Sequence, residues 1–97
     1  MIRHVVMFRW ADDVDDEHVA SVAAALDGLP DAIPEISGYA HGRDLVLADG
    51  NHDYAVVGDF DTAADYATYR DHPVHRAFIA DLIAGRIAER AAVQFEC

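Results

Sequence analysis

Short runs of β-branched and aromatic residues alternate along this chain with stretches whose apolar positions recur at helical spacing. His4 to Trp10 predicts a first strand, with His4, Val6, Phe8 and Trp10 on one face and Val5, Met7 and Arg9 on the other. Asp15 is the expected N-cap of a helix whose first turn is acidic and whose stripe is Val19, Val22, Ala23, Leu26 and Leu29. Gly28-Leu29-Pro30 and then Pro34 are expected to end it. Ile36 to about Leu47 predicts a second strand, Asp49-Gly50 a turn, and His52 to Phe60 a third strand paired with the second as a hairpin. Asp61-Thr62 caps a second helix carrying Ala63, Tyr66, Ala67 and Tyr69. That helix breaks at His72-Pro73, because the residue before proline avoids helical dihedrals while proline itself suits a first helical position. The new helix carries Val74, Phe78 and Leu82, with Ile83 and Ile87 continuing the stripe, and Ala91 to Glu96 makes a last strand.

The order β-α-β-β-α-β places the chain in the α+β class as one domain over residues 1–97. A ferredoxin-like sandwich is predicted, a four-stranded antiparallel sheet with its helices on one face. The opposite face, which holds Val5 and Met7, would then stand apolar and bare, and a patch of that kind marks an interface. A two-fold homodimer with sheet packed on sheet is therefore expected.

Composition narrows the chemistry. The chain has 97 residues, 53% hydrophobic, with Lys+Arg 7 against Asp+Glu 18 and a formal net charge of −11. An acidic surface repels phosphate backbones and anionic lipid, so neither nucleic acid nor membrane is an expected partner. All seven basic residues are arginine; the absence of lysine excludes Schiff-base catalysis and the lysine of a P-loop. Ser21 and Ser37 stand outside any nucleophile motif, and Cys97 is a single cysteine without an internal partner. No cofactor is called for. No apolar run spans a bilayer and Met1-Ile2-Arg3-His4 shows no leader pattern, so a cytoplasmic location is expected.

The residues that stand out are Tyr69-Arg70-Asp71-His72-Pro73-Val74-His75-Arg76-Ala77-Phe78, a phenol, two imidazoles and a proline within one short stretch. On an unbroken helix Tyr69 and His75 would be separated by about 240° and face apart. Only a bend at Pro73 lets them converge. His72 and His75, with His4 or Asp71, match a metal site only loosely, and no other ligand pair supports one, so no metal is expected. The Asp12 to Glu17 run lacks the glycine and spacing of a calcium loop and reads as a solvated cap. His18, His41 and His52 read as exposed polar positions, Trp10 as strand-end packing, and Tyr66 and Phe78 as core.

Several pieces together resemble the stress-responsive A/B barrel (Dabb) family of the dimeric α+β barrel superfamily: His4-Val5-Val6-Met7-Phe8, Leu29-Pro30, Ile33-Pro34, Gly42-Arg43-Asp44-Leu45, Asp59-Phe60-Asp61, and above all His72-Pro73-Val74-His75-Arg76-Ala77-Phe78. The resemblance implies a homodimeric barrel with a pocket between sheet and helices. It also implies a small hydrophobic, aromatic or polyketide-like ligand. A plant member is a cofactor-free polyketide cyclase whose general acid and general base match Tyr69 and His75 and whose first-strand pocket histidine matches His4. Another of its pocket histidines falls on Tyr54, and a large aromatic of its first helix is replaced by Ala23. The pocket so implied is lined by His4, Val6, Phe8, Ala23, Leu26, Tyr54, Val56, His72 and Phe78, with Tyr69 and His75 catalytic. At the start of the new helix the dipole would keep His75 neutral, the form a general base needs. The plainer reading is that His72 and His75 cap the helix and Tyr69 packs with its hydroxyl on a backbone carbonyl, which would suit a stress or ligand-carrier protein without turnover. A cofactor-independent monooxygenase is the remaining alternative, known among relatives in the superfamily.

Overall fold

A computed structural model describes residues 1–97. Its elements are β1 (Ile2–Trp10), α1 (Asp16–Ala32), β2 (Gly38–Arg43), β3 (Tyr54–Phe60), α2 (Ala63–Asp71), α3 (Pro73–Phe78) and β4 (Ile87–Glu96), with a π-helical turn over Ile79–Ile83 directly after α3. The strands form one antiparallel sheet in the order β2-β3-β1-β4. This is the ferredoxin-like α+β arrangement expected from the order of elements.

Alternation along β1 behaves as its pattern dictates. His4, Val6 and Phe8 are buried on the helix-covered face, while Met7 on the outer face remains 37% exposed. On β3, Tyr54, Val56 and Phe60 point inward. Val19, Val22, Leu26 and Leu29 of α1 close over them, joined by Ile33, Tyr69, Phe78 and Ile83. Val22, Leu26, Leu29, Ile33 and Phe60 are sealed almost completely, each contributing about 1.5–3 kcal/mol relative to an exposed side chain.

Several boundaries differ from expectation: β1 starts at Ile2 rather than His4, and β2 and β3 start two residues late, at Gly38 and Tyr54. The first helix does not stop at Pro30 but carries it inside its last turn, to Ala32. Proline there costs about 3 kcal/mol; continuing the helix buries both Leu29 and Ile33, which together contribute about 3–6 kcal/mol. The second strand ends at Arg43 rather than Leu47, because the Asp44 carboxylate accepts from the backbone N–H of Val46 at 2.9 Å and Val46 takes a left-handed φ of 57°. The turn at Asp49-Gly50 survives inside a longer loop, closed by an Asp44 N–H donating to the Asp53 carbonyl at 2.9 Å. The last strand begins at Ile87, four residues before Ala91, and pairs along all of β1. Finally, the Ala84 N–H donates to the Ile79 carbonyl at 2.8 Å, five residues back, so the turn after α3 is wider than α-helical. The extra width brings Ile83 rather than Leu82 into the core and removes Ile87 from the helical stripe altogether. Val74 also falls outside it, at 43% exposure.

Candidate functional site

The bend at His72-Pro73 has the predicted form. His72 is extended (φ −61°, ψ 135°), and its Nδ1 accepts from the Val74 N–H at 3.1 Å. It serves as an N-cap and faces an exterior dent beside Ala67 and Thr68, not the interior. Beyond it the chain turns back, so that the rings of Tyr69 and His75 lie against each other with centroids 4.3 Å apart. His75 Nδ1 is 3.1 Å from the Arg70 carbonyl. A carbonyl can only accept, so Nδ1 carries the proton and donates to it, and the neutral ring keeps its lone pair on Nε2. The same bond satisfies a carbonyl in the last turn of α2 that the helix leaves free.

Tyr69 and His75 open into a cavity of about 330 Å³ between sheet and helices. Val6, Phe8, Leu26, Val56 and Phe78 line it as expected, and so does His4. Two anticipated wall residues do not. Ala23 sits on α1 away from the cavity, where Leu26 occupies the inward position instead. Tyr54 is buried, and its hydroxyl lies 2.7 Å from His41 Nδ1, while His41 Nε2 lies 2.7 Å from the Asp27 carboxylate. That chain of bonds draws the phenol toward α1 and β2. With His72 turned outward, three of the nine expected wall positions are elsewhere.

Residues outside the expected wall positions complete it: Tyr66, Ile83 and Ile87, which were read as core or helical stripe, and Tyr39, Arg70, Ile79, Ala84 and Arg90. Tyr39 is the important one, its hydroxyl 2.8 Å from that of Tyr69. It faces Gly58 across the sheet, and alternation along β2 could have placed it inward. Arg90 was hidden because it lies among the four residues by which β4 precedes the predicted start at Ala91. His18 and His41 are not the exposed positions expected: His18 Nε2 reaches the Leu82 carbonyl at 2.8 Å, tying α1 to the π turn, and the His41 side chain is only 13% exposed. His52 is likewise largely covered, with Nε2 3.7 Å from Glu89.

The electrostatics suit acid–base work. Burial, against a small opposing pull from the Arg70 carbonyl, holds His75 below the ordinary histidine value of 6.5; charge on His72 pushes the same way. Desolvation rather than the dipole of the short α3 therefore leads in keeping it neutral. Burial likewise lowers His4, helped by Arg90 and His75. It raises Tyr69 and Tyr39, so both phenols stay protonated and act as donors. His4 Nδ1 accepts from Gln94 Nε2 at 2.8 Å, which leaves its N–H on Nε2.

Comparison with known proteins fits this picture. The sequence pattern of the Stress responsive A/B Barrel Domain, Dabb, matches residues 2–97. A dimeric ferredoxin-like protein of unknown function from Thermobifida fusca is 51% identical, with a TM-score of 0.92, covering 99% of this chain and 90% of that one. A dimeric protein of ferredoxin-like fold from Bacteroides fragilis is 29% identical, with a TM-score of 0.81 and coverage of 99% and 95%. In fold alone, the chain is also similar to the hydroxynitrile lyase of Passiflora edulis, at 20% identity, a TM-score of 0.83 and coverage of 97% and 90%. No functionally curated protein matches it in sequence. By the match over residues 2–97 and the fold it builds, this chain belongs to the stress responsive A/B barrel (Dabb) domain family.

Proposed function

We propose that this protein is a homodimer whose cavities bind a small aromatic or polyketide-like carbonyl compound, and that His75 and Tyr69 perform cofactor-free acid–base chemistry on it. The observation that carries the reading is the bond from His75 Nδ1 to the Arg70 carbonyl, beside the paired hydroxyls of Tyr69 and Tyr39. It leaves a basic Nε2 next to a phenol that is free to donate.

In the proposed step His75 Nε2 removes a proton from the carbon next to the substrate carbonyl, and the C–H electron pair moves into the enolate. Tyr39 donates to the Tyr69 oxygen, so the Tyr69 O–H points at the enolate oxygen and stabilises its charge. In an aldol-type cyclisation the enolate carbon then bonds a second carbonyl carbon of the same molecule. The alkoxide so formed takes its proton from the imidazolium, directly or by way of Tyr69, which is then reprotonated by His75, so both residues return to their starting state and the proton balance closes. That one neighbour of this fold is a hydroxynitrile lyase supports the view that the scaffold can host catalysis. The relatives from Thermobifida fusca and Bacteroides fragilis, both described as dimeric, support the pairing of subunits.

The test is deuterium wash-in at the α-carbons of 4-phenylbutan-2-one, followed by proton NMR in heavy water. Wild-type protein should accelerate exchange, and His75→Ala should lower the rate by about 10²–10⁴-fold with binding retained. Tyr69→Phe should cost about 10²–10³-fold, the loss of one oxyanion donor. Should the ketone bind both variants as before while exchange is equally slow with all three proteins, the catalytic reading fails and the cavity is that of a carrier.

A further inference from the structure

We propose that Arg90 marks the mouth of the cavity as a carboxylate-binding end, so that the ligand is an aromatic or alkyl carboxylic acid. The inference rests on the reading of the cavity as a ligand site and adds the charge of what enters it.

Of the seven arginines, four are neutralised within the chain: Arg3 by Asp59, Arg9 by Glu89, Arg43 by Asp16 and Arg70 by Asp71, at 2.8–3.2 Å. Arg76, Arg86 and Arg90 have no carboxylate partner, in a chain with eighteen acidic residues. Of these three only Arg90 borders the cavity; Arg70 borders it too, but Asp71 has taken its charge. The strand register explains the placement. Arg90 stands opposite Phe8, and Gln94, four residues on, stands opposite His4, so both side chains rise on the inner face of the edge strand β4.

His4 supplies a second donor. Gln94 holds its Nδ1, the N–H is therefore on Nε2, and Nε2 has no partner in the protein. Since no side-chain nitrogen is both sealed and unpartnered, that atom opens to the cavity. Arg90, exposed, and the buried His4 imidazole thus border the same cavity, which Val6, Phe8 and Leu26 also line.

The physics selects an amphipathic anion. A carboxylate carried into the apolar interior without a partner would cost several kcal/mol. One held at the rim keeps water on one side and gains a charge-assisted, bidentate contact on the other. The overall charge of −11 repels anions from most of this surface, so a local free cation is what an acidic ligand requires.

Isothermal titration of the full-length protein with 1-naphthoate and with its neutral amide, 1-naphthamide, separates the possibilities. The acid should bind wild-type protein about tenfold more tightly than the amide, with a preference that shrinks as salt is added. Arg90→Gln should abolish the preference by weakening the acid alone, and Arg90→Lys should restore part of it, with unchanged thermal midpoints since the side chain is exposed. Equal binding of acid and amide to wild type, or a preference that survives Arg90→Gln, overturns the inference and leaves the cavity reading intact. If neither compound binds, the cavity reading itself falls and takes this one with it.

Discussion

His75 donates Nδ1–H to the last turn of α2, so the bond that ends one helix also chooses which nitrogen of the ring can act as a base. Burial keeps both His75 and His4 below 6.5 in the folded chain, whereas the unfolded chain binds protons on both near that pH. The unfolded state therefore holds more protons below about pH 6.5, and stability, complete above that value, falls as the pH drops through it. Asp59 and Asp71, held under the usual 3.8 by Arg3 and Arg70, lose their contribution only at lower pH. The expected result is a urea midpoint lower at pH 5 than at pH 7, with the difference reduced in His75→Asn; a midpoint flat over that range in wild type would contradict the account.

At the scale of elements, β3 and β2 meet where Gly58 faces Tyr39. A methyl group added at Gly58 would lie 3.1 Å from the Phe60 ring and 3.3 Å from the Tyr39 ring. Neither ring can retreat easily, since Phe60 is fully buried and Tyr39 is held by Tyr69. Gly58→Ala should cost about 1–3 kcal/mol as an overpacked core position, read as a lowered denaturation midpoint, and should displace Tyr39 from its partner. Much at this scale was written in the sequence. Period-two alternation on β1 and the stripe Val19, Val22, Leu26, Leu29 named the core directly, and the proline after His72 named the bend. Ala23, Tyr54 and His72 were misplaced because a resemblance transfers positions, while the local bonds of Tyr54 to His41 and of His72 to the Val74 N–H decide where side chains point. Arg90 depends on the extent and register of β4, and the choice of Ile83 over Leu82 on the π turn, which no local pattern encodes, whereas alternation along β2 was enough to turn Tyr39 inward.

Across the whole molecule, the helices cover only one side of the sheet. On the other, Val57, Val5 and Val93 stand in one row across three strands, with Ala55, Met7 and Ala91 in the next. Val93 is 56% and Phe95 48% exposed, and Leu45, Val46 and Leu47 project from the loop after β2 at 78–85%. Monomers seldom leave so continuous an apolar face to water. Sedimentation of the wild-type protein should give a dimer at micromolar concentration, and Val93→Asp, which places an unpaired charge in the centre of the contact, should give folded monomer. A wild-type monomer at those concentrations would show that this face is not the contact.

The widened turn at Ile79–Ile83 has a consequence for how such a cavity arises. An ordinary helix would cover the same path with one residue fewer, so the wall formed by Ile79, Ile83 and Ala84 amounts to a single-residue insertion absorbed without unravelling the helix. Loss of that residue would tighten the turn to α-helical width and reshape the wall while the flanking α3 and β4 kept their places, so the size of the chamber can change by one codon while the scaffold stays as it is.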